Sequence, residues 1–381
     1  MVYGANGVIG RYNEYNHSES EILLTCRGAT CGNVNVSEPF SWINGNAMVI
    51  HPYSLGIDRY YIVYMLKIFG KSSELITGTA QPQIVQNNLN KLLVPLPPLS
   101  EQKRIVEEID KIFSQIEVVK ENQEELNKLK DGLKNKVLDL AIQGKLVEQD
   151  PNDEPASVLL EKIKAEKTEL IKQGKIKKEK QESYIYKGTD NRHYEKIGSE
   201  IKDITEEIPF EIPNNWVWCR LVSIVSLLGD GIHGTPVYKE NTKYYFINGN
   251  NLNDKIDIKN NTKTVSFEEY TKYKKDLNRN TILVSINGTL GNIAFYNDEK
   301  IILGKSACYF NLLGDIEKEY IKLIIKSNYF TKYAEENATG STIKNVSLKS
   351  MRDLLLPIPS IEEQKRIVEK LENVFQFIKT L

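Results

Sequence analysis

The chain has 381 residues, 40% of them hydrophobic and 27% charged, with a formal net charge of −1. This is the balance of a globular protein of two or three domains. No apolar run approaches the roughly 20 residues that span a bilayer, and the N-terminus lacks a basic-then-apolar signal pattern, so a cytoplasmic protein is expected.

Residues 1–99 read as short strands and turns. Ile22-Leu23-Leu24-Thr25-Cys26 and Ala47-Met48-Val49-Ile50 are β-like runs bounded by Gly, Asn and Pro, and Tyr60 to Phe69 reads as a short helix. Pro95, Pro97 and Pro98 close the segment, because proline blocks both strand pairing and helix continuation. A long helix then begins near Ser100. Its seam steps by four and three through Ile105, Ile109, Ile112, Ile116, Val119, Gln123, Leu126, Lys130, Leu133, Val137 and Leu140, the pattern of a coiled coil, with Gly144 as its stop. Pro155 to Gln173 is a second amphipathic helix ending at Gly174. Residues 175–210 are charged and poor in apolar pattern, and read as linker. A second globular segment opens at Ile212-Pro213-Asn214-Asn215-Trp216.

The strongest feature is an internal repeat. Leu92-Leu93-Val94-Pro95-Leu96-Pro97 and Glu101-Gln102-Lys103-Arg104-Ile105-Val106-Glu107 return 262 positions later as Leu354-Leu355-Leu356-Pro357-Ile358-Pro359 and Glu363-Gln364-Lys365-Arg366-Ile367-Val368-Glu369. The register holds through Phe113 and Phe375 to Ile116 and Ile378. Upstream, Ile282 to Ser285 aligns with Leu23 to Cys26, and Thr339-Gly340-Ser341-Thr342 with Thr77-Gly78-Thr79-Ala80. Ser360 and Glu363 read as a capping box opening the second helix. The first globular segment has about 99 residues against about 150 in the second, and the terminal helix about 20 against about 45 in its copy.

Charge is segregated. Residues 1–99 hold six Lys and Arg against six Asp and Glu, residues 181–211 four against eight, and residues 212–360 nineteen against fifteen. The second segment is thus the basic one, though mildly, and a DNA binder built this way would draw basic help from partners.

No pattern for intrinsic catalysis appears. Gly304-Lys305-Ser306 resembles the end of a phosphate loop, but Glu299 stands where the leading glycine belongs. Gly4, Gly7 and Gly10 have the wrong spacing for a dinucleotide fingerprint, and Asp150-Pro151 is not followed by a Pro-aromatic pair. His17, His51, His193 and His233 are scattered. Cys26 and Cys31 lack the partners that would complete a zinc quartet, so neither a metal nor a cofactor is expected on this chain.

The duplicated Pro95-Leu96-Pro97…Glu101-Gln102-Lys103-Arg104-Ile105-Val106 and its copy resemble the specificity subunit of a type I restriction–modification system. So do Ala141-Ile142-Gln143-Gly144-Lys145-Leu146-Val147 and Leu159 to Lys167 in the centre, and Tyr3 to Gly10, Thr77 to Pro82 and His233-Gly234-Thr235-Pro236 in the globular segments. The resemblance implies an α+β chain of two similar mixed α/β target-recognition domains, separated by long coiled-coil helices in pseudo-two-fold, antiparallel arrangement. On that reading residues 1–99 are a first, N-terminally incomplete recognition domain, 100–180 the central helical region, 181–211 a linker, 212–360 the second recognition domain and 361–381 a short distal helix.

The implied activity is non-catalytic: reading a bipartite site in double-stranded DNA and docking methyltransferase subunits, which bring S-adenosylmethionine, with motor-nuclease subunits completing the complex. Self-association through the helices is also open, and the competing reading is a helical scaffold that holds methyltransferase without complete site recognition. Base-edge reading needs polar side chains on loops. The candidates are Tyr3, Asn6, Arg27, Thr30, Gln81 and Gln83 in the first segment. In the second they are His233, Thr235, Asn248, Asn250, Asn251, Asn287, Thr289, Lys305, Thr342 and Lys344. The alternative for each is plain turn-building. Glu101, Gln102, Lys103, Arg104, Glu363, Gln364, Lys365 and Arg366 are either a methyltransferase contact or simply helix starts with favourable early acids.

Overall fold

A computed structural model describes the chain except for residues 53–55, 79–80, 179–182 and 341. Thr79, Ala80 and Ser341 of the repeated Thr-Gly segments therefore lie outside the described residues. Contacts divide the chain into two compact units, Met1–Leu126 and Asn127–Leu381.

In unit 1 the strand Ile22–Thr25 lies between Val34–Val36 and Ala47–Ile50, antiparallel to both. Its run Ile22, Leu23 and Leu24 is buried without alternation, because both faces are covered. Helix α1 (Arg59–Phe69) packs Val63 and Leu66 on Ile22. On the other face, Leu23 meets Tyr3 and Ile43, which belong to the parallel pair Val2–Gly4 and Trp42–Ile43. Asp58 starts α1 by accepting from the N–H groups of Tyr60 and Tyr61. A short helix α2 (Gln86–Leu89) precedes α3 (Leu99–Ile142), whose 44 residues give a length of about 66 Å at a rise of 1.5 Å.

Unit 2 holds the end of α3, then α4 (Ala156–Lys172). Both helices stop at a left-handed glycine, Gly144 at φ 69° and Gly174 at φ 68°. In each case the next residue's N–H returns to a carbonyl of the last turn, Lys145 to Leu140 and Lys175 to Leu170. The main sheet runs Val225–Asp230, Ala307–Leu312, Thr281–Ser285, Ile293–Phe295, Leu252–Ile256. Around it lie α5 (Phe267–Tyr273), α6 (Lys318–Lys326), α7 (Asn328–Glu336), α8 (Leu348–Asp353) and α9 (Ile361–Thr380).

The central three strands of that sheet repeat the order and directions of unit 1, and Tyr245–Ile247 pairs parallel with Ile301–Leu303 as Val2–Gly4 does with Trp42–Ile43. The hydrogen bonds also correct the alignment by one residue. Thr25 N–H reaches Asn33 O and Gly28 N–H reaches Pro82 O, while Ser285 N–H reaches Asn292 O and Gly288 N–H reaches Lys344 O. Ser285 therefore matches Thr25, not Cys26, and the extra residue of unit 1 falls inside the following loop.

The repeat has a buried mechanical centre. In unit 1 the Gln102 side chain accepts from Asp58 N–H at 2.8 Å and donates to Pro97 O at 2.8 Å and Gly56 O at 3.1 Å. In unit 2 Gln364 accepts from Glu317 N–H at 3.0 Å and donates to Pro359 O at 3.1 Å. Asp58 and Glu317 are the residues that precede α1 and α6. Beside each joint a tyrosine hydroxyl donates to a proline carbonyl, Tyr61 to Pro95 at 2.6 Å and Tyr320 to Pro357 at 2.8 Å.

Two expectations need correction. Residues 183–203, expected as linker, form a three-stranded antiparallel sheet of Ser183–Lys187, His193–Ile197 and Glu200–Asp203. Ile185 and Ile204 bury against Trp218 and Leu355, and Arg220 pairs with Glu195 and Glu207 at 2.7 Å each. The acidic excess that looked like solvated linker is thus partly neutralised by a cation elsewhere in the sequence. Ser360 does cap α9 by accepting from Glu363 N–H, but the Glu363 carboxylate does not close the box. It accepts instead from Trp216 Nε1 at 2.9 Å and Gln149 Nε2 at 2.5 Å.

Gln364→Ala should destabilise unit 2, and Gln102→Ala unit 1, by about 0.5–1.5 kcal/mol each, because each removes the hydrogen bonds that the buried amide makes to a part-buried N–H and a proline carbonyl. Urea denaturation of the full chain followed by a probe in each unit checks this.

The Arg366 guanidinium, with Ser360, holds Asp153 below the usual carboxylate range. Its stabilisation is complete above the unfolded value and is lost as pH falls through the lower folded value. Burial pushes the Glu363 carboxyl up, which acts in the opposite sense, favouring the fold at lower pH. Asp153→Asn should therefore lessen the drop in unfolding midpoint on acidification below about pH 4.

Candidate nucleic-acid interface

Hydrogen bonds gather the polar loops of unit 2 along one edge of the sheet. Ile232 N–H reaches Leu303 O, Gly304 N–H reaches Ile247 O, and Gly249 N–H reaches Ser306 Oγ. Ile286 N–H then reaches Ser306 O, and Gly288 N–H reaches Lys344 O. Loops 231–235, 248–251, 287–291, 304–306 and 342–345 are thereby tied together, and these carry all ten second-segment candidates. Unit 1 builds a smaller version: Thr25 Oγ1 donates to Ala5 O, Asn33 Nδ2 to Asn6 Oδ1, and Gly28 N–H to Pro82 O. Arg27 bridges Gln83 as Asn287 bridges Asn345.

The structure divides these side chains by burial. Tyr3 is buried and its hydroxyl accepts from Glu38 N–H at 3.0 Å, so this candidate is core, not surface. Asn248 and Asn251 form a reciprocal capping box, and Asn251 also donates to Asp257 O at 3.2 Å. Asn287 Nδ2 donates to Asn345 Oδ1 at 3.1 Å. These asparagines are half-buried and build the turns that display their neighbours. Thr30 is half-buried too, its carbonyl closing a turn with Asn33 N–H.

Asn6, Arg27, Gln81, Gln83, His233, Thr235, Asn250, Thr289, Lys305, Thr342 and Lys344 are exposed. His233 lies 2.7 Å from Asp230, and Lys344 lies 2.7 Å from Glu335. Exposed pairs of this kind contribute little and exchange readily for other ions.

Sequence reasoning missed part of this surface. A recess beside His233 and Thr235 is also lined by Tyr273 and Lys275, at the end of α5. Lys272 and Lys274, on either side of Tyr273 in the sequence, are exposed. The signal was available in the basic, aromatic run Lys272-Tyr273-Lys274-Lys275. Lys263 over the Tyr238 ring, 4.4 Å from its centroid, had no comparable sequence cue.

The expected partner contacts also divide. Gln102, Gln364 and Glu363 are buried and satisfied within their own units, so they cannot present themselves to another chain. Arg366 is held by Asp153 at 2.6 Å. Glu101, Lys103, Arg104 and Lys365 remain exposed. Among the described residues no helix is long and apolar enough to cross a membrane, and no His/Cys/Asp/Glu group could hold a metal ion.

These observations define the class of the fold: an α+β chain with two similar loop-edged units and a long helix, α3. The chain belongs to the type I restriction modification DNA specificity domain family, which matches residues 2–128 and 213–381. It is 27% identical to the type I restriction enzyme EcoAI specificity subunit of Escherichia coli, across 86% of this chain and 61% of that one. With the EcoEI specificity subunit of Escherichia coli it shares 24% identity, over 86% and 62%. The chain thus spans about three fifths of the length of these relatives. The HsdS subunit from Thermoanaerobacter tengcongensis has a similar fold, with a TM-score of 0.51 at 15% identity, covering 96% of this chain and 75% of that one. A chain from a structure describing assembly and conformational transition of the type I R-M system gives 0.54 at 16% identity, covering 96% and 76%.

The division between turn-builders and displayed side chains is testable without any ligand. Asn251→Ala should cost about 0.5–1.5 kcal/mol through loss of its side-chain bonds to Asn248 N–H and Asp257 O, whereas Asn250→Ala should leave stability within about 0.5 kcal/mol. Chemical denaturation of the two variants compares them directly.

Proposed function

We propose that this chain is the non-catalytic DNA-reading subunit of a type I restriction–modification complex, each unit contributing one half of a bipartite site. The observation that carries the reading is the duplicated loop edge. Equivalent backbone hydrogen bonds in both units hold Arg27 beside Gln83, and Asn287 beside Asn345, at matching positions. Turn chemistry alone does not require the same polar edge twice, whereas reading two half-sites does. The chain's near-zero net charge leaves most phosphate neutralisation to partners, which fits docking of methyltransferase subunits that bring S-adenosylmethionine. In this reading residues 1–99 and 212–360 act as recognition domains, and α3 and α9 as their helical mounts.

The contributions should be unequal. Unit 2 carries the basic excess, the His233 loop and the Lys272–Lys275 run, while residues 1–99 are neutral. In the assembled methyltransferase complex, Lys305→Ala or Lys275→Ala should weaken binding across all sequences and reduce the salt slope by about one. Thr289→Ala or His233→Ala should instead cost about 1–3 kcal/mol of discrimination at one position of the site. Arg27→Ala and Gln81→Ala should do less. Selection from a randomised DNA pool, followed by salt titration of binding, measures both effects. The reading fails if first-unit substitutions abolish specific binding while second-unit ones leave it intact. A complex that assembles but selects no sequence would instead make the chain a helical scaffold.

A further inference from the structure

We infer that Ile343 reads the C5-methyl group of a thymine in the half-site served by unit 2, an assignment that rests on the DNA-reading function proposed above. Ile343 lies in the tip of a hairpin whose arms pair Thr339 with Asn345 and Ala338 with Val346. Unit 1 holds the same hairpin, pairing Thr77 with Gln83 and Ile76 with Ile84. The two tips agree bond for bond. The Thr339 hydroxyl donates to Asn345 O and the Thr77 hydroxyl to Gln83 O, each at 3.3 Å. Gly288 N–H reaches Lys344 O and Gly28 N–H reaches Pro82 O, each at 3.0 Å. Gly340 at φ 94° and Gly78 at φ 85° turn the chain, and a Cβ on either would strike a carbonyl oxygen, that of Ile343 in one tip and that of Gln81 in the other. Ile343 and Gln81 therefore hold the same position of the fold.

What stands at that position differs in kind. Ile343 is 59% exposed and Gln81 is exposed too, so the turn needs neither side chain to form. The tied loop edge of unit 2 is otherwise polar on its outside. Among the described residues of loops 231–235, 248–251, 287–291, 304–306 and 342–345, Ile343 is the one large apolar side chain left exposed. It has no hydrogen bond to offer a base or a phosphate. In the major groove the apolar feature that marks a base pair is the thymine C5-methyl, and an apolar side chain recognises it by contact alone. A glutamine at the same position offers a donor and an acceptor, the pair that matches adenine N7 and N6. The two units thus use one mount for opposite chemistry, methyl contact in unit 2 and hydrogen bonding in unit 1.

The test uses the assembled methyltransferase complex and the site it selects from a randomised DNA pool. Each thymine of that site is replaced in turn by deoxyuridine, which lacks only the methyl, and binding is measured by competition. At one thymine the replacement should weaken binding about fourfold, the worth of one buried methyl. Ile343→Ala should cost a similar factor on the thymine site and nothing further on the deoxyuridine site, as groups in contact do in a double-mutant cycle. Ile343→Gln, which installs the residue that the matching tip already carries, should move the preference at that base pair towards adenine. Gln81→Ala should leave the methyl effect unchanged. If no thymine has a methyl effect that disappears with Ile343→Ala, the inference is overturned. Equal loss from Ile343→Ala on both DNAs overturns it as well, since the contact would then be to sugar or phosphate. A complex that assembles but selects no sequence removes the DNA-reading function itself, and this role of Ile343 with it.

Discussion

Each half of this protein turns on one buried glutamine. A primary amide offers an acceptor and two donors, and at Gln102 and Gln364 that complement is spent between a proline carbonyl at the head of the outgoing helix and an N–H at the head of a helix in the globular layer. Proline contributes a carbonyl but no N–H, so the Pro-x-Pro exit needs acceptor satisfaction only, and the amide supplies it. The departure of α3 and α9 is thereby fixed by an uncharged joint whose strength does not depend on salt or pH. The charged residues around it in the repeated Glu-Gln-Lys-Arg are free to differ in use, which they do.

Much of this was legible in the sequence because repetition doubles every weak signal. The two helix exits and the stops at Gly144 and Gly174 follow from spacing and residue type; the expected seam of α3 does not, because Ile112, Ile116, Val119 and Leu133 stay exposed and the end of the helix buries Leu138, Ala141 and Ile142 beside Val137. What stayed hidden depended on partners far away in the chain. Nothing local says that Tyr61 and Tyr320 are equivalent, since their shared role lies in a bond to a distant proline. The sheet of residues 183–203 was invisible for a similar reason. Its acidic residues find Arg220, and its few apolar side chains find Trp218 and Leu355, only once the fold exists.

The candidate surface was legible as a set of loops and illegible residue by residue. Gly, Asn and Thr have the same preference for a turn whether they shape it or stand on it. Burial separates them: Asn248 and Asn251 are turned inward on their own backbone, while Asn250 between them is turned out. Tyr3 looked like a recognition aromatic and is a core residue, because the strand that bears it forms one of the layers over Leu23. The Lys272–Lys275 run was overlooked because helix propensity and a basic patch give the same string of residues.

The loop after the central strand spans Gly28 to Gly32 in one unit and Gly288 to Gly291 in the other, yet its flanking backbone bonds are the same. One residue was added or removed between fixed anchors and the sheet did not register it. A loop surface mounted this way can be rewritten in length and lettering while its foundation stays constant. Under the proposed DNA-reading function, such a chain acquires a new target without having to solve the folding problem again.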